Sequence, residues 1–315
     1  MTKIAILGAG NMGTGLSTVF KDKDYEVVLW SIDEKIVKNI NEKRENKKYL
    51  PNVKLSRNVK CVNELKTALK NAVIVVFAVP SHAVREVCIK SRDLISRNAV
   101  IVNLAKGLEE GSNKRMSEVI KEYFINPVIS AGGPGIADEL AHNIPTFAVY
   151  ASDDKKALQM IKELFGNDYY RISTSNDLKG VELCGFLKNI ISILCGVSDG
   201  LGYGANTKSG LISNGLEELK IVCRAMGGRE ETIFSLAGLG DLIVTCFSQQ
   251  SRNRRFGEYL SKGLKVDNAL KKVGQVVEGV KGAKIAHEII KDKNLNCPLI
   301  EKVYNIIFLG EKPDV

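Results

Sequence analysis

A lysine in apolar surroundings is the first feature of this chain with chemical meaning. Residues 181–197, VELCGFLKNIISILCGV, are apolar on every face a helix could present, yet Lys188 and Asn189 stand in their middle. Taking an ammonium out of water is costly unless it is paired or used. Desolvation also lowers its pKa from about 10.4 towards neutrality, where it can pass a proton to a carbonyl oxygen. A solvated lysine on an exposed helix is the ordinary alternative, and the apolar flanks argue against it. A second group stands in GLGDLIVTC, where Asp241 and Thr245 are spaced i, i+4 and share one face of a short helix. A carboxylate and a hydroxyl so placed can orient a lysine and a substrate oxygen; taken alone, Asp241 reads as a helix cap after a glycine turn. In the run SQQSRNRRFG, read as a loop, Arg252, Arg254 and Arg255 gather around Asn253. Guanidinium groups suit bidentate recognition of phosphate, and a solvated basic turn has the same composition.

The glycines of GAGNMG, residues 8–13, follow the apolar run KIAIL and precede the helix-like TGLSTVFKD. This is the dinucleotide fingerprint: Gly8 for the tight turn, Gly10 for backbone approach to a pyrophosphate, Gly13 for close packing of helix on sheet. The pyrophosphate would rest on the free N–H groups at the helix start. After the second apolar run, YEVVLW, comes Ser31, where an NAD-preferring site often carries an acidic group for the ribose 2′-hydroxyl. With Asp33 two positions on and Lys35 nearby, a 2′-phosphate is not repelled, and the reading leans to NADPH with NADH also usable. Ser31 and Asp33 also fit the start of the next helix, with Asp33 as its N-cap.

These groups need elements to hold them. KIAIL, YEVVLW, VIVVFAV, AVIVNLA and PVISA are short and β-branched, with helix-like segments between them. Near-continuous apolarity marks strands buried on both faces, so the pattern predicts a doubly wound, Rossmann-type and mostly parallel sheet. TFAVYA and YYRIS, on either side of the helical ASDDKKALQMIKELFG, add two more strands. Beyond residue 176 strand-like runs give way to helical stretches punctuated by glycines. The expected organisation is a dinucleotide-binding domain over 1–177 and an all-helical substrate-binding and catalytic domain over 178–315. The site is expected at the carboxyl ends of the strands, between the two domains.

Composition narrows the classes. A chain of 315 residues with 44% hydrophobic and 26% charged residues is globular, not disordered. Its longest unbroken apolar stretch, residues 72–80, is far short of the roughly 20 residues of a membrane-spanning helix, so no span is expected. The start lacks a secretory signal pattern, and the seven cysteines are scattered without paired spacing, so reduced thiols in the cytoplasm are expected. Three distant histidines give little support for a metal. The formal charge of +9 raises nucleic-acid binding, yet no such motif is present and only 6% of residues are aromatic. Residues 35–60 hold nine Lys and Arg against two Glu, so most of the excess is one segment beside the adenosine end of the fingerprint. That is a local field for an anionic cofactor and substrate.

The chain also resembles a known family over nearly its whole length. GAGNMG, NKKYLPNV (46–53), VPSH (79–82), AKGLEE (105–110), GGPGIADEL (132–140), ELCGFLKNI (182–190), GYGANTKSGLI (202–212), GLGDLIVTC (238–246), SRNRRFG (251–257) and GQVVEG (274–279) occur in this order. Together they resemble the NAD(P)-dependent sn-glycerol-3-phosphate dehydrogenases of the bacterial type. The resemblance implies reversible reduction of dihydroxyacetone phosphate to sn-glycerol 3-phosphate, the backbone for glycerophospholipids, by a homodimer. It implies that Lys188 is proton donor and acceptor at the C2 oxygen and that Lys106 touches both substrate and nicotinamide. Asn189, Asp241 and Thr245 would complete the pocket. Gly133, Gly135, Ser251, Arg252 and Asn253 would bind the substrate, the last three at its phosphate, with Arg252 also near the cofactor. Asn11, Met12, Ala137, Val276 and Glu278 would line the dinucleotide. One departure stands out: the family usually has Ser or Thr and then Phe where this chain has Gly135 and Ile136, which removes a hydroxyl near the substrate. A 3-hydroxy-acid dehydrogenase of similar build, needing no phosphate clamp, and a non-catalytic dinucleotide sensor are the competing readings.

Overall fold

The computed structural model describes residues 2–315. One compact unit comprises the chain up to Ala105 together with Met116–Ala131 and Gly135–Leu178; the other comprises Lys106–Arg115, Gly132–Pro134 and Lys179–Val315. Two short segments thus leave the first half of the sequence to join the unit built from the second.

The first unit is organised by one eight-stranded sheet: β1 (Thr2–Leu7), β2 (Tyr25–Trp30), β3 (Val59–Val62), β4 (Ile74–Phe77), β5 (Val100–Asn103), β6 (Val128–Gly132), β7 (Thr146–Ala151) and β8 (Tyr170–Ser175). Their order is β3-β2-β1-β4-β5-β6-β7-β8. β1 runs parallel to both β2 and β4, with Ile4 opposite Val27 on one side and Ile74 on the other. The order reverses across β1 and β4, which makes their carboxyl ends the topological switch point of a doubly wound sheet. Side chains alternate between two cores, Ile4, Ile6, Val27 and Leu29 on one face and Ala5, Leu7, Val28 and Trp30 on the other, which is why these runs are apolar throughout. Seven of the eight strands are the apolar runs expected from the sequence. The eighth, β3, was not expected there; its sequence VKCV exposes Lys60 and lies inside the basic segment.

The second unit is helical. Its central helix, Leu178–Gly200, is long and apolar enough to cross a membrane, but the apolar window is wholly buried in the protein. Lys188 is carried on this helix. The run read as a basic loop is in fact helical from Arg252, in a helix Arg252–Ser261 whose N-cap Ser251 accepts the Arg254 N–H. This helix lies against the central one through glycines: a Cβ on Gly257 would come within 2.0 Å of the Ile193 carbonyl oxygen, and one on Gly196 within 1.8 Å of the Arg254 carbonyl oxygen. No rotamer relieves a backbone clash of that kind. Gly257→Ala is therefore expected to lower the unfolding free energy by about 1–3 kcal/mol, measured by denaturant titration; an unchanged midpoint would refute the close packing.

Candidate active site

On the first unit, the turn between β1 and the helix α1 (Asn11–Thr18) is a cradle built by exclusion. Gly8 has φ +122, and a Cβ there would meet the Ala78 carbonyl oxygen at 2.7 Å; one on Gly13 would meet the Gly8 carbonyl oxygen at 2.0 Å. Gly10 has nothing within 4 Å of where a Cβ would stand. The chain is thus tight where turn and helix must pack and open where a phosphate would approach. The first turn of α1 carries no acidic residue, and no side chain caps it, so its N–H groups and positive end remain for an anion. These features fit a dinucleotide pyrophosphate. Asn11 donates to the Tyr49 carbonyl at 2.9 Å, Met12 lies in the same first turn, and Ala137 packs at Gly15 one turn further along. Ser31 is buried, its hydroxyl accepting the Asp33 N–H at 3.1 Å. Asp33 caps the helix α2 (Glu34–Lys43) by accepting the Lys35 N–H, as one of the two sequence readings has it. Gly135 also belongs to this unit.

On the second unit, the polar groups converge on one carboxylate. Asp241 begins the helix Asp241–Phe247 and is 1% exposed. Its Oδ1 accepts from Lys188 Nζ at 2.5 Å and its Oδ2 from Lys106 Nζ at 2.6 Å. Lys188 also donates to Thr245 Oγ1 at 2.7 Å, and that hydroxyl donates to the Asp241 carbonyl at 2.6 Å. The i, i+4 spacing thus presents carboxylate and hydroxyl to one lysine. Burial pushes the Lys188 ammonium down to about 8, with Asp241 pulling it up and the Lys106 charge pushing it down. Two cations on one anion leave the cluster net positive, which favours negative charge developing on a nearby oxygen.

Asn189 sits beside this cluster, donating to the Gly185 carbonyl at 3.1 Å and accepting from Asn253 Nδ2 at 2.8 Å. The Asn253 Oδ1 accepts the Gly279 N–H at 2.9 Å. Asn253 therefore ties the starts of the helices Arg252–Ser261 and Glu278–Asp292 to the central helix. Arg252 is the exposed first residue of its helix. Arg254 is not a free phosphate ligand, as a cluster of three arginines had suggested, because it is committed to an ion pair with Asp199. Val276 is partly exposed and Glu278 opens its helix; both belong to the second unit with Gly133, whose carbonyl accepts from Lys106 at 3.2 Å.

The residues alone, without the resemblance, do not single out Lys106, which reads as an ordinary lysine after a strand. Its position comes from the segment Lys106–Arg115, which is fastened to the second unit. Leu108 bridges to Arg115, and the Arg115 guanidinium pairs with Glu182 at 2.8 Å, both side chains under 10% exposed. The signal was present: Glu182 is a further charge in the apolar segment, and a buried carboxylate implies a cation partner.

Comparison with known proteins agrees in every part of the chain. Residues 3–158 match the model of the NAD-dependent glycerol-3-phosphate dehydrogenase N-terminus, and residues 177–315 that of the C-terminus. A protein of Clostridium tetani named glycerol-3-phosphate dehydrogenase, NAD(P)+, is 42% identical over 309 residues, covering 98% of this chain and 88% of its own. One of the same name from a Thermoanaerobacter species is 43% identical over 99% of this chain and 94% of its own. The crystal structure of glycerol-3-phosphate dehydrogenase from Coxiella burnetii superposes with a TM-score of 0.95 at 36% identity, covering 99% of this chain and 96% of that one. Structures described as a ketopantoate reductase and a D-mandelate dehydrogenase share the fold at 16% and 12% identity, with TM-scores of 0.64. With both halves matched and identity above 40% along almost its entire length, the chain belongs to the NAD-dependent glycerol-3-phosphate dehydrogenase family.

Proposed function

We propose that the protein catalyses the reversible reduction of dihydroxyacetone phosphate to sn-glycerol 3-phosphate with NADPH or NADH. The observation that carries the reading is the buried Asp241 carboxylate holding Lys188 and Lys106 on its two oxygens. Gly8, Gly10, Asn11, Met12 and Gly13 would hold the pyrophosphate, with Ser31, Lys106, Ala137, Arg252, Val276 and Glu278 along the rest of the dinucleotide. When bound, the nicotinamide supplies the hydride to C2. Lys188 gives its proton to the C2 oxygen, and Asp241 and Thr245 keep its Nζ in place while that charge develops. Lys106 adds the second cation and, with Gly133 and Gly135, orients the substrate. Arg252, the N-cap Ser251 and Asn253 stand at the positive end of a helix, suited to the substrate phosphate. Ser31 in place of an acidic residue favours NADPH.

The product would serve as the backbone of glycerophospholipids, and a homodimer is the assembly we expect. Seven buried free thiols support work in a reducing compartment.

The test is initial rates of NADPH and NADH oxidation with dihydroxyacetone phosphate, beside unphosphorylated dihydroxyacetone. Turnover of the phosphorylated ketone alone is expected; no turnover, or equal rates on both, would reject the assignment. A pH profile reads the same site. Only the ammonium form of Lys188 can donate, so reduction should be level below about pH 8. Above it the rate should fall about tenfold per pH unit. The neutral amine serves the reverse reaction, which should rise through the same value. A reduction rate still level at pH 10 would exclude Lys188 as the donor.

A further inference from the structure

The segment NKKYL, residues 46–50, belongs to the family pattern but enters none of the chemistry above, and its contacts give it a task. Asn46 is 1% exposed, and its Nδ2 donates to the Ala9 carbonyl and to Thr14 Oγ1, each at 2.8 Å. Tyr49 is held by Asn11 through its carbonyl. Asn46 also bridges to Leu50. The segment is therefore strapped across the glycine-rich turn from both ends. The Gly8 N–H in turn donates to the Trp30 carbonyl at the end of β2, so turn, strap and the residues after β2 form one rim.

On that rim Lys48 Nζ meets Asp33 Oδ2 at 2.9 Å. Asp33 Oδ1 is already engaged by the Lys35 N–H, so Lys35, the nearer lysine in sequence, contributes its backbone, and the cation beside the carboxylate is Lys48. An unpaired carboxylate after β2 accepts ribose hydroxyls and repels a 2′-phosphate. Here its charge is cancelled by a lysine more than half exposed, long and flexible enough to turn from one anion to another.

We propose that the Asp33–Lys48 pair sets which dinucleotide the first unit accepts. Lys48 is the cation that turns to a 2′-phosphate, and Asp33 is the carboxylate that takes a ribose 2′-hydroxyl when the phosphate is absent. The proposal rests on the dinucleotide reading above and adds to it the residue that chooses between the two forms.

The experiment measures dissociation constants of NADPH and NADH by calorimetry on the whole protein, with no substrate present. In Lys48→Ala the ratio of the NADPH to the NADH constant is expected to rise about tenfold, near the water-screened limit for one unit-charge contact, as suits a lysine this exposed. In Asp33→Asn the same ratio should fall, since Lys48 is released while Asn still caps α2. A ratio unchanged in both variants, including parallel weakening of both cofactors, overturns the proposal. Wild-type protein that binds neither cofactor would instead reject the dinucleotide reading itself, and the selectivity proposal with it.

Discussion

Replacing Lys188 by Ala is expected to lower kcat for dihydroxyacetone phosphate reduction by roughly 10²–10⁴, the contribution of a positioned general acid. The site should survive the change. Asp241 keeps Lys106 at 2.6 Å as counter-ion, so the truncation does not strand a buried charge. Affinity for NADPH and NADH, to which the proposal assigns Lys188 no contact, should stay within about a factor of two, well below the loss of one charged contact. Lys188→Arg should fail equally, because a guanidinium does not release its proton in the working pH range. Stopped-flow measurement of cofactor oxidation, with cofactor titration as a control, reads all of these. Turnover near that of the wild type in Lys188→Ala would exclude its role as acid.

Asp241→Asn should disturb both lysines at once, because one carboxylate serves the two. The amide is nearly isosteric, yet it cannot neutralise either ammonium. Removing one partner of a buried pair typically costs about 3–5 kcal/mol, unless the stranded lysine gives up its proton. Asp241 raises the pKa of Lys188 against burial and Lys106. Its loss therefore moves the alkaline limb of the reduction profile to lower pH, and at pH 7 leaves less of the acid form. The expected result is a fall in kcat/KM of at least roughly 10², as for loss of a general acid, together with that downward shift. The cysteine beside the cluster, Cys246, has its thiol pushed up by its neighbour Cys195 and by burial, so it cannot replace the lost anion. A limb that stayed in place, or moved up, would show that Asp241 is not the counter-ion of Lys188.

Most of the sheet was legible because its strands are buried on both faces and therefore written as apolar runs. β3 escaped because an edge strand of four residues alternates, and its Lys60 merges with the basic residues around it. Lys188 was legible because burial makes a charged residue conspicuous among apolar ones, and Asp241 and Thr245 because helical spacing puts them on one face. The helix start at Arg252 was hidden by a basic run that composition reads as loop, although Ser251 has the chemistry of an N-cap. The partners of charged groups were the least legible. Neither the commitment of Arg254 to Asp199 nor the choice of Lys48 over Lys35 by Asp33 follows from spacing. Each depends on which distant segments the fold brings together. Lys106 came from resemblance alone, since its meaning depends on a carboxylate 135 positions away.

The excursion of residues 106–115 out of the first half of the chain bears on how such a protein can be inherited or engineered. The family's two sequence modules, matched here at 3–158 and 177–315, have the form of exchangeable parts. A cut between them would place Lys106 and Gly133 on one product and Lys188, Asp241 and Thr245 on the other. Neither product would encode the whole cluster around Asp241, and a graft from a distant relative would have to match its own lysine to this carboxylate. The modules are separable as text but not as chemistry, because one carboxylate draws its two lysines from both.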